Sequence, residues 1–350
     1  MRIMMPVIII LCSLISCNQN KVVPKDDFVI ANGQIPNIAI DKNGTIHLVY
    51  GLGDSIMYTA SSDKGNSFSR PSIIAVVPGL YSFAMRGPQI ASTDEGIIVT
   101  GCTSKGNIFS YYKENGKWKL GARVNDVDTV AKEGLMALSA DGENVFAVWL
   151  DLRGDKRNKI YGAQSKDGGK SWAENKMIYT SPDTSVCPCC KPSVVVKRNN
   201  VYVMFRNRLH GNRDLYLMRS VNNGASFGKA EKLGTGNWQL NACPMDGGGL
   251  AINENGQVRT IWRREGAIFT DAPGVPEIEV GKGRNCTIAA IDNKNMFAWT
   301  ENGKVLFIKP NGQKKTLGKG SLPILKGVDD EHAICIWQNE HQIHGAVVEL

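Results

Sequence analysis

The sequence predicts an all-β protein, a β-propeller of six blades that each contain four antiparallel strands. Glycine is abundant, with 37 residues in a chain of 350. Apolar residues rarely recur with the 3.6-residue period of a helix, which favours a β domain with many tight turns. A short motif also recurs at a regular spacing, and such a period is typical of a repeat fold.

The recurring motif has the pattern Ser-x-Asp/Asn-x-Gly-x-Ser-Phe/Trp and occurs at residues 61–68, 165–172 and 220–227. In such a turn the Asp or Asn side chain accepts backbone N–H groups, the glycine takes a positive φ and the aromatic ring packs beneath. The copies start 55 residues apart (220 − 165) and 104 apart (165 − 61). These spacings fit one and two four-stranded blades, and this period divides the chain into about six blades. The motifs themselves are predicted to be structural corners on the blade rim.

Six apolar segments follow Gly- or Asn-rich turns, one for each predicted blade. Their β-branched and aromatic residues are typical of buried strands. The segments are 45–50, 96–100, 144–149, 200–205, 258–262 and 295–299.

The N-terminus is predicted to be a secretory leader, because a basic start precedes an apolar run over residues 3–15 that is too short to span a bilayer. The end of this run, Leu14-Ile15-Ser16-Cys17, resembles the lipobox of bacterial lipoproteins, which implies lipidation of Cys17. The alternative is an ordinary secretory signal. We predict a signal peptide over 1–16, a tether over 17–27 and the propeller over 28–350, anchored by lipid to the bacterial outer membrane on its periplasmic or cell-surface face.

The charge balance excludes one class of partner. Lysine and arginine total 41 against 33 acidic residues, a net charge of +8. No basic run of the kind that binds nucleic acid is present, so we predict no nucleic-acid partner and a monomer whose positive charge is diffuse or gathered where an anionic ligand binds.

Arginine recurs near the ends of the predicted strands. Equivalent blade positions face a common axis, so their guanidinium groups would need an anion, and arginine binds carboxylates bidentately. We therefore predict an axial pocket for an acidic carbohydrate. An equally weighted alternative is that these arginines form inter-blade salt bridges with Asp151, Asp214 and Glu265. The candidate binding residues are Arg86, Arg153, Arg206, Arg213, Arg263 and Arg284.

The recurring motif resembles the Asp-box of sialidases and other BNR-repeat propellers. Segments 148–153, 187–193, 205–216 and 241–248 are similar to a bacterial lipoprotein group labelled exo-α-sialidase. The resemblance implies a sialidase-like fold and a glycoside hydrolase site in which three arginines bind the substrate carboxylate. The arginines implied are Arg86, Arg206 and either Arg263 or Arg284, with Asp151 as the acid/base.

The chain departs from the sialidase pattern in two ways. No tyrosine follows Tyr216, so the nucleophile that the resemblance implies in a late blade is missing, and Gly33-Gln34-Ile35-Pro36 stands in place of a Phe-Arg-Ile-Pro element. Two carboxyl groups alone can hydrolyse a glycosidic bond, and the catalytic candidates are Asp151, Asp246 and Glu265. Glycan binding with hydrolysis, glycan binding without it, and metal handling all stay open.

Seven cysteines remain besides Cys12 and Cys17. Four of them could bind a soft metal such as copper(I) or zinc, although structural disulfides are the favoured interpretation in an oxidising compartment. We predict no cofactor. The four weak metal candidates are Cys187, Cys189, Cys190 and Cys243.

Overall fold

A computed structural model describes residue 22, residues 24–183 and residues 185–350. The predicted signal peptide, Cys17 and most of the predicted tether lie outside the described residues. The first strand begins at Lys25, so residues 25–27 of the predicted tether belong to the sheet structure. Among the described residues, no helix is long and apolar enough to cross a membrane.

The described residues form strands that assemble into seven sheets. The N-terminal strand and the strands of the first four blades are β1 (Lys25–Asn32), β2 (Gln34–Ile40), β3 (Ile46–Leu52), β4 (Ser55–Ser61), β5 (Ser72–Val76), β6 (Gln89–Ser92), β7 (Ile97–Cys102), β8 (Ile108–Glu114), β9 (Lys117–Arg123), β10 (Met136–Asp141), β11 (Asn144–Asp151), β12 (Lys159–Ser165), β13 (Lys176–Tyr179), β14 (Ser185–Val186), β15 (Ser193–Lys197), β16 (Asn200–Arg208), β17 (Leu215–Ser220) and β18 (Glu231–Lys232). The strands of the last three blades are β19 (Gly248–Ile252), β20 (Val258–Arg264), β21 (Ala267–Asp271), β22 (Ile278–Lys282), β23 (Arg284–Ile291), β24 (Lys294–Glu301), β25 (Lys304–Ile308), β26 (Lys314–Lys319), β27 (Ser321–Gly327), β28 (His332–Asn339) and β29 (Gln342–Glu349).

The sheets are arranged as the blades of a propeller. The innermost strands, which are β2, β6, β10, β15, β19, β23 and β27, contact one another in sequence around a central axis. The ring closes through the N-terminal strand, because β1 pairs antiparallel with β29 and places Phe28 opposite Gly345. The seventh blade therefore has the order β1-β29-β28-β27, and this pairing joins the two ends of the described chain.

The prediction of six blades was wrong, because the structure has seven. The inner strands of the fourth and fifth blades, β15 and β19, begin 55 residues apart (248 − 193). The next two intervals, to β23 and to β27, are only 36 residues (284 − 248) and 37 residues (321 − 284). The repeat motif occurs in the longer blades only, so its period overestimates the length of the later ones. Strand β28 has the same apolar pattern as the six predicted segments and was missed.

The three repeat motifs adopt the predicted turn between the third and fourth strands of their blades. In the first copy, the Ser67 N–H donates to Asp63 Oδ1 at 2.9 Å and the Gly65 N–H donates to Ser61 Oγ at 2.8 Å. Gly65 has a φ of 94°, in the left-handed region that favours glycine. The copies at 165–172 and 220–227 make the same bonds.

A buried aromatic residue recurs near the end of the second strand of a blade. Trp149, Trp262, Trp299 and Trp337 are at most 2% exposed and pack between neighbouring sheets. Phe205 takes this place in β16. The second strand of a blade ends at the face of the propeller where the inner strands begin, so the residues that follow these aromatics lie close to one mouth of the axis.

Candidate functional site

A cavity of about 200 Å³ lies on the propeller axis and is lined by the inner strands and the loops that lead into them. We call it the hub cavity. Aliphatic side chains form much of its wall, and several polar groups face it. Its lining includes Ile35, Asn37, Met85, Gln89, Lys191, Ser193, Asp246, Asn285, Thr287, Leu322 and Lys326.

Two lysines line the hub cavity without a carboxylate partner. Lys191 precedes the inner strand β15, and Lys326 lies near the end of the inner strand β27. Burial alone lowers the pKa of Lys191 to about 8, and it also lowers the pKa of Lys326. Neither ammonium group pairs with an acidic side chain of the described residues. Lys326 is exposed to solvent and also borders a surface pocket beside Asp329, whereas Lys191 is half-buried, and a buried charge without a partner is energetically costly. These two groups therefore leave the cavity with uncompensated positive charge.

Asp246 is a buried carboxyl group at the same end of the axis as Lys191. Its side chain has no exposed surface, and it accepts the Asn285 N–H at 3.1 Å. Arg263 Nη1 lies 3.4 Å from Asp246 Oδ2. Burial raises the pKa of Asp246 to about 6, although the positive charges of Arg206 and Arg263 oppose this shift. Asp246 can therefore hold a proton close to neutral pH.

Arg206 and Arg263 occupy the same position of neighbouring blades, directly after Phe205 and Trp262. Their guanidinium carbons lie 5.1 and 5.0 Å from the centre of the Trp238 ring. Arg206 Nη2 donates to the Arg263 carbonyl oxygen at 3.0 Å, which links the two strands. The Nε atoms of both arginines are buried without a hydrogen-bond partner among the described residues. The structure thus brings together two of the six predicted binding arginines.

None of the other four predicted arginines lies over the Trp238 ring. Arg206 Nη1 nevertheless donates to the Arg213 carbonyl oxygen at 2.6 Å, and Arg284 lines the same surface groove as Arg263. Arg86 donates from Nε to the Glu133 carbonyl oxygen at 2.6 Å. Arg213 donates from Nη1 to the sulfur of Cys187 at 3.1 Å. Arg284 is exposed at the start of β23 and borders a surface groove.

Arg153 belongs to a closed network with Asp151. The Asp151 carboxylate has no exposed surface. It accepts the Trp149 Nε1–H at 2.8 Å, the Arg153 backbone N–H at 2.8 Å and the Arg153 Nε–H and Nη2–H at 3.0 and 2.9 Å. Arg153 also bonds Asp126 at 2.9 Å and lies over the Tyr161 ring. Since the oxygens of Asp151 are fully engaged, its surroundings are those of a structural salt bridge.

Glu265, the third catalytic candidate, lies in the exposed turn between β20 and β21 with a φ of 53°. It is not among the residues that line the hub cavity. Of the three predicted carboxylates, Asp246 alone borders that cavity.

The predicted cysteine cluster is formed in space. Cys187, Cys189 and Cys190 are buried in the loop that leads into β15, and their sulfur atoms lie within 4.8 Å of one another. The Cys187 sulfur is 3.7 Å from that of Cys189 and 3.4 Å from that of Cys190. The seven cysteines of the described residues are all free, so none of the expected disulfides is present there. Cys243 is exposed and is not part of this group of sulfurs.

Sequence reasoning missed Lys191, Lys326, Asn37, Gln89 and Asn285 as lining groups. Lys191 lies in the segment 187–193, but no motif marks any of the five as a lining residue. The blade count and strand order are needed before their positions can be placed on the axis. A usable signal was their position: Lys191 and Gln89 lie within two residues of the start of an inner strand.

No protein-family model matches the chain, and no curated protein sequence matches it. Solved propellers resemble it in structure. A mutant α-L-arabinofuranosidase from Fusarium graminearum, in complex with an iminosugar inhibitor, has a TM-score of 0.58 at 12% identity and covers 93% of this chain and 98% of that chain. YCF48 bound to D1 peptide has a TM-score of 0.58 at 12% identity over 94% and 97% of the two chains. Virginiamycin B lyase from Staphylococcus aureus has a TM-score of 0.55 at 11% identity over 93% and 98%.

Identities this low show the fold alone, which is an all-β propeller. A glycoside hydrolase, a protein bound to a peptide and a lyase share that fold, so the fold does not choose among functions. The hub cavity and its charged lining are the features of the chain that bear on function.

Proposed function

We propose that this chain binds an acidic sugar in the hub cavity. The observation that carries the proposal is the pair of ammonium groups, half-buried Lys191 and exposed Lys326, which line the hub cavity without a carboxylate partner among the described residues. A ligand carboxylate would supply the missing charge through charge-assisted hydrogen bonds. The cavity of about 200 Å³ is smaller than pockets for drug-sized ligands, about 300–1,000 Å³, and suits a single sugar ring.

Polar groups of the cavity lining support a sugar ligand. Asn37 donates from Nδ2 to Gln89 Oε1 at 2.9 Å, and the Asn285 amide reaches only the sulfur of Met85, at 3.9 Å. The Asn285 amide is available to exchange this weak contact for hydrogen bonds to hydroxyl groups. Aliphatic side chains such as Ile35 offer an apolar wall for the C–H face of a sugar ring.

Binding without hydrolysis fits the carboxyl groups better than glycosidase chemistry. Among the described residues that line the hub cavity, Asp246 is the only carboxylic acid. Its raised pKa suits a general acid, but glycosidases of the usual kind need a second carboxyl group across the bond. Asp151 is engaged by Trp149 and Arg153. Turnover of a glycoside would favour the hydrolase alternative.

Isothermal titration calorimetry with free sialic acid and with uronic acids tests the proposal. The acidic sugars should bind the wild type, and Lys191→Gln should weaken binding about tenfold or more, because it removes one charge-assisted hydrogen bond. The matched control is Lys304→Gln, at an exposed lysine of the sixth blade, which should leave the affinity unchanged. Absence of binding by all acidic sugars would overturn the proposal. Incubation with sialosides and uronic-acid oligosaccharides then separates a binder from a hydrolase.

The proposal includes a lipid anchor on Cys17 that holds a monomeric propeller at the bacterial outer membrane. The resemblance of Leu14-Ile15-Ser16-Cys17 to a lipobox supports it. Metabolic labelling with a fatty acid should mark the wild type and leave Cys17→Ala unlabelled. Equal labelling of both proteins would exclude Cys17 as the attachment site.

A further inference from the structure

The cysteine cluster has the geometry of a thiolate metal site. Metal–sulfur bonds of about 2.3 Å place the sulfurs of a trigonal or tetrahedral site about 3.8–4.0 Å apart. The Cys187 sulfur is 3.7 Å from Cys189 and 3.4 Å from Cys190. Only small shifts of the side chains would admit an ion among the three. Pro188 and Pro192 flank the cluster and restrict the backbone of this loop.

The charges around the cluster provide an independent indication. Arg206 and Arg213 are 1% and 6% exposed, and neither donates a hydrogen bond to a carboxylate of the described residues. Arg263 lies 3.4 Å from the Asp246 carboxylate, whereas Arg206 and Arg213 have no acidic partner among the described residues. Buried guanidinium groups need a compensating charge. Arg213 directs one N–H group at the Cys187 sulfur at 3.1 Å, so a buried guanidinium group lies against the cluster.

We propose that Cys187, Cys189 and Cys190 bind one copper(I) ion in a three-coordinate thiolate site. Binding releases three thiol protons, and the Cu(I) ion with three thiolates carries a charge of −2, which would offset the charges of the unpaired Arg206 and Arg213. Soft thiolates select copper(I). Zinc prefers four ligands, and the fourth cysteine nearby, Cys243, is exposed and is not in the group of sulfurs that lie within 4.8 Å of one another. The site therefore favours copper(I) over zinc.

Metal analysis of the detergent-solubilised full chain tests this site. The reduced protein is loaded anaerobically with copper(I), or separately with zinc, and desalted. The wild type should retain about one copper ion per chain, and X-ray absorption at the copper edge should show three sulfur neighbours. Cys190→Ser should lose at least nine tenths of the bound copper. The matched control Cys102→Ser changes a buried cysteine of another blade and should retain the ion.

Circular dichroism of the metal-free variants checks that both fold. If Cys190→Ser does not fold, the copper content of the wild type still tests the site. Failure of the wild type to retain stoichiometric copper would overturn the proposal, as would retention of zinc in preference to copper. Peptide mass spectrometry showing a disulfide between Cys187 and Cys190 in protein isolated without reductant, and persisting after copper(I) loading, would also overturn it. Sugar binding is measured on copper-free protein, so the two proposals fail separately.

Discussion

Two buried carboxyl groups of this propeller, Asp151 and Asp246, lie near the ends of strands from different blades and differ in how completely they are bonded. Asp151 accepts hydrogen bonds from Trp149 and from three N–H groups of Arg153. Asp246 accepts one backbone N–H group and has Arg263 at 3.4 Å. A saturated pair is a structural element, whereas an incompletely bonded one retains capacity for a proton or a ligand. The comparison explains why similar residues give a scaffold in one blade and a candidate site in another.

The largest effect is expected at the saturated carboxylate. Asp151→Ala should lower the free energy of unfolding by about 3–5 kcal/mol, because it leaves Arg153 and the Trp149 N–H without their buried acceptor. Urea unfolding followed by tryptophan fluorescence measures this. The control Asp26→Ala removes a carboxylate whose ion pair with Lys315 is exposed to solvent, where ion pairs contribute little. A small effect at Asp151 would contradict the structural role assigned to it.

Replacement of the incompletely bonded carboxyl group, Asp246, should stabilise the protein at neutral pH, where replacement of Asp151 destabilises it. In the folded protein burial raises the pKa of Asp246 from 3.8 to about 6, so its contribution to stability is full below about pH 3.8 and is lost as the pH rises through 6. Asp246→Asn cannot ionise, so it should match the wild type near pH 4 and be more stable by about 1–3 kcal/mol at pH 7. Urea unfolding of both proteins between these pH values tests this. A difference that does not change with pH would show that Asp246 is ionised throughout.

The smallest effect is expected at a carboxylate that is bonded but lies on the rim. Asp167 accepts the Ser171 N–H at 2.9 Å and the Ser165 hydroxyl at 2.7 Å in the second repeat motif. Asp167→Ala should cost about 1 kcal/mol, the usual net contribution of such hydrogen bonds, and Asp167→Asn should restore part of it, because Asn222 makes the equivalent bonds in the third motif. Thermal unfolding of the two variants measures the difference. A loss as large as that of Asp151→Ala would remove the distinction between rim and interior.

Much of the fold was predictable from the sequence, because turns and strands are local. The hydrogen bonds of the turn around Asp63 follow from the residues of the motif. The second strands of six blades were located by their apolar residues. The blade count failed, since the later blades have short hairpins in place of the motif, and closure of the ring by β1 depends on a pairing between the two ends of the described chain.

The site was less predictable for a physical reason. The equivalent positions of Arg206 and Arg263 follow from the strand pattern, and the structure brings them together over Trp238. The directions of Arg86 and Arg153 depend on loop backbones, and local acceptors bind them. Lys191 and Lys326 acquire their importance only from what surrounds them, which no local pattern encodes.

Uncompensated positive charge in the hub cavity is the proposed basis of acidic-sugar binding. One titration tests this charge most directly. Calorimetry with an acidic sugar and with its neutral methyl ester should show binding of the acid alone. Burial raises the pKa of Asp246 to about 6 and lowers that of Lys191 to about 8. The affinity for the acid should therefore fall as the pH rises through 6, when Asp246 gains a negative charge, and fall again through 8, when the Lys191 ammonium group loses its proton. Equal binding of the acid and its ester, or an affinity that does not change up to about pH 9, would contradict the account.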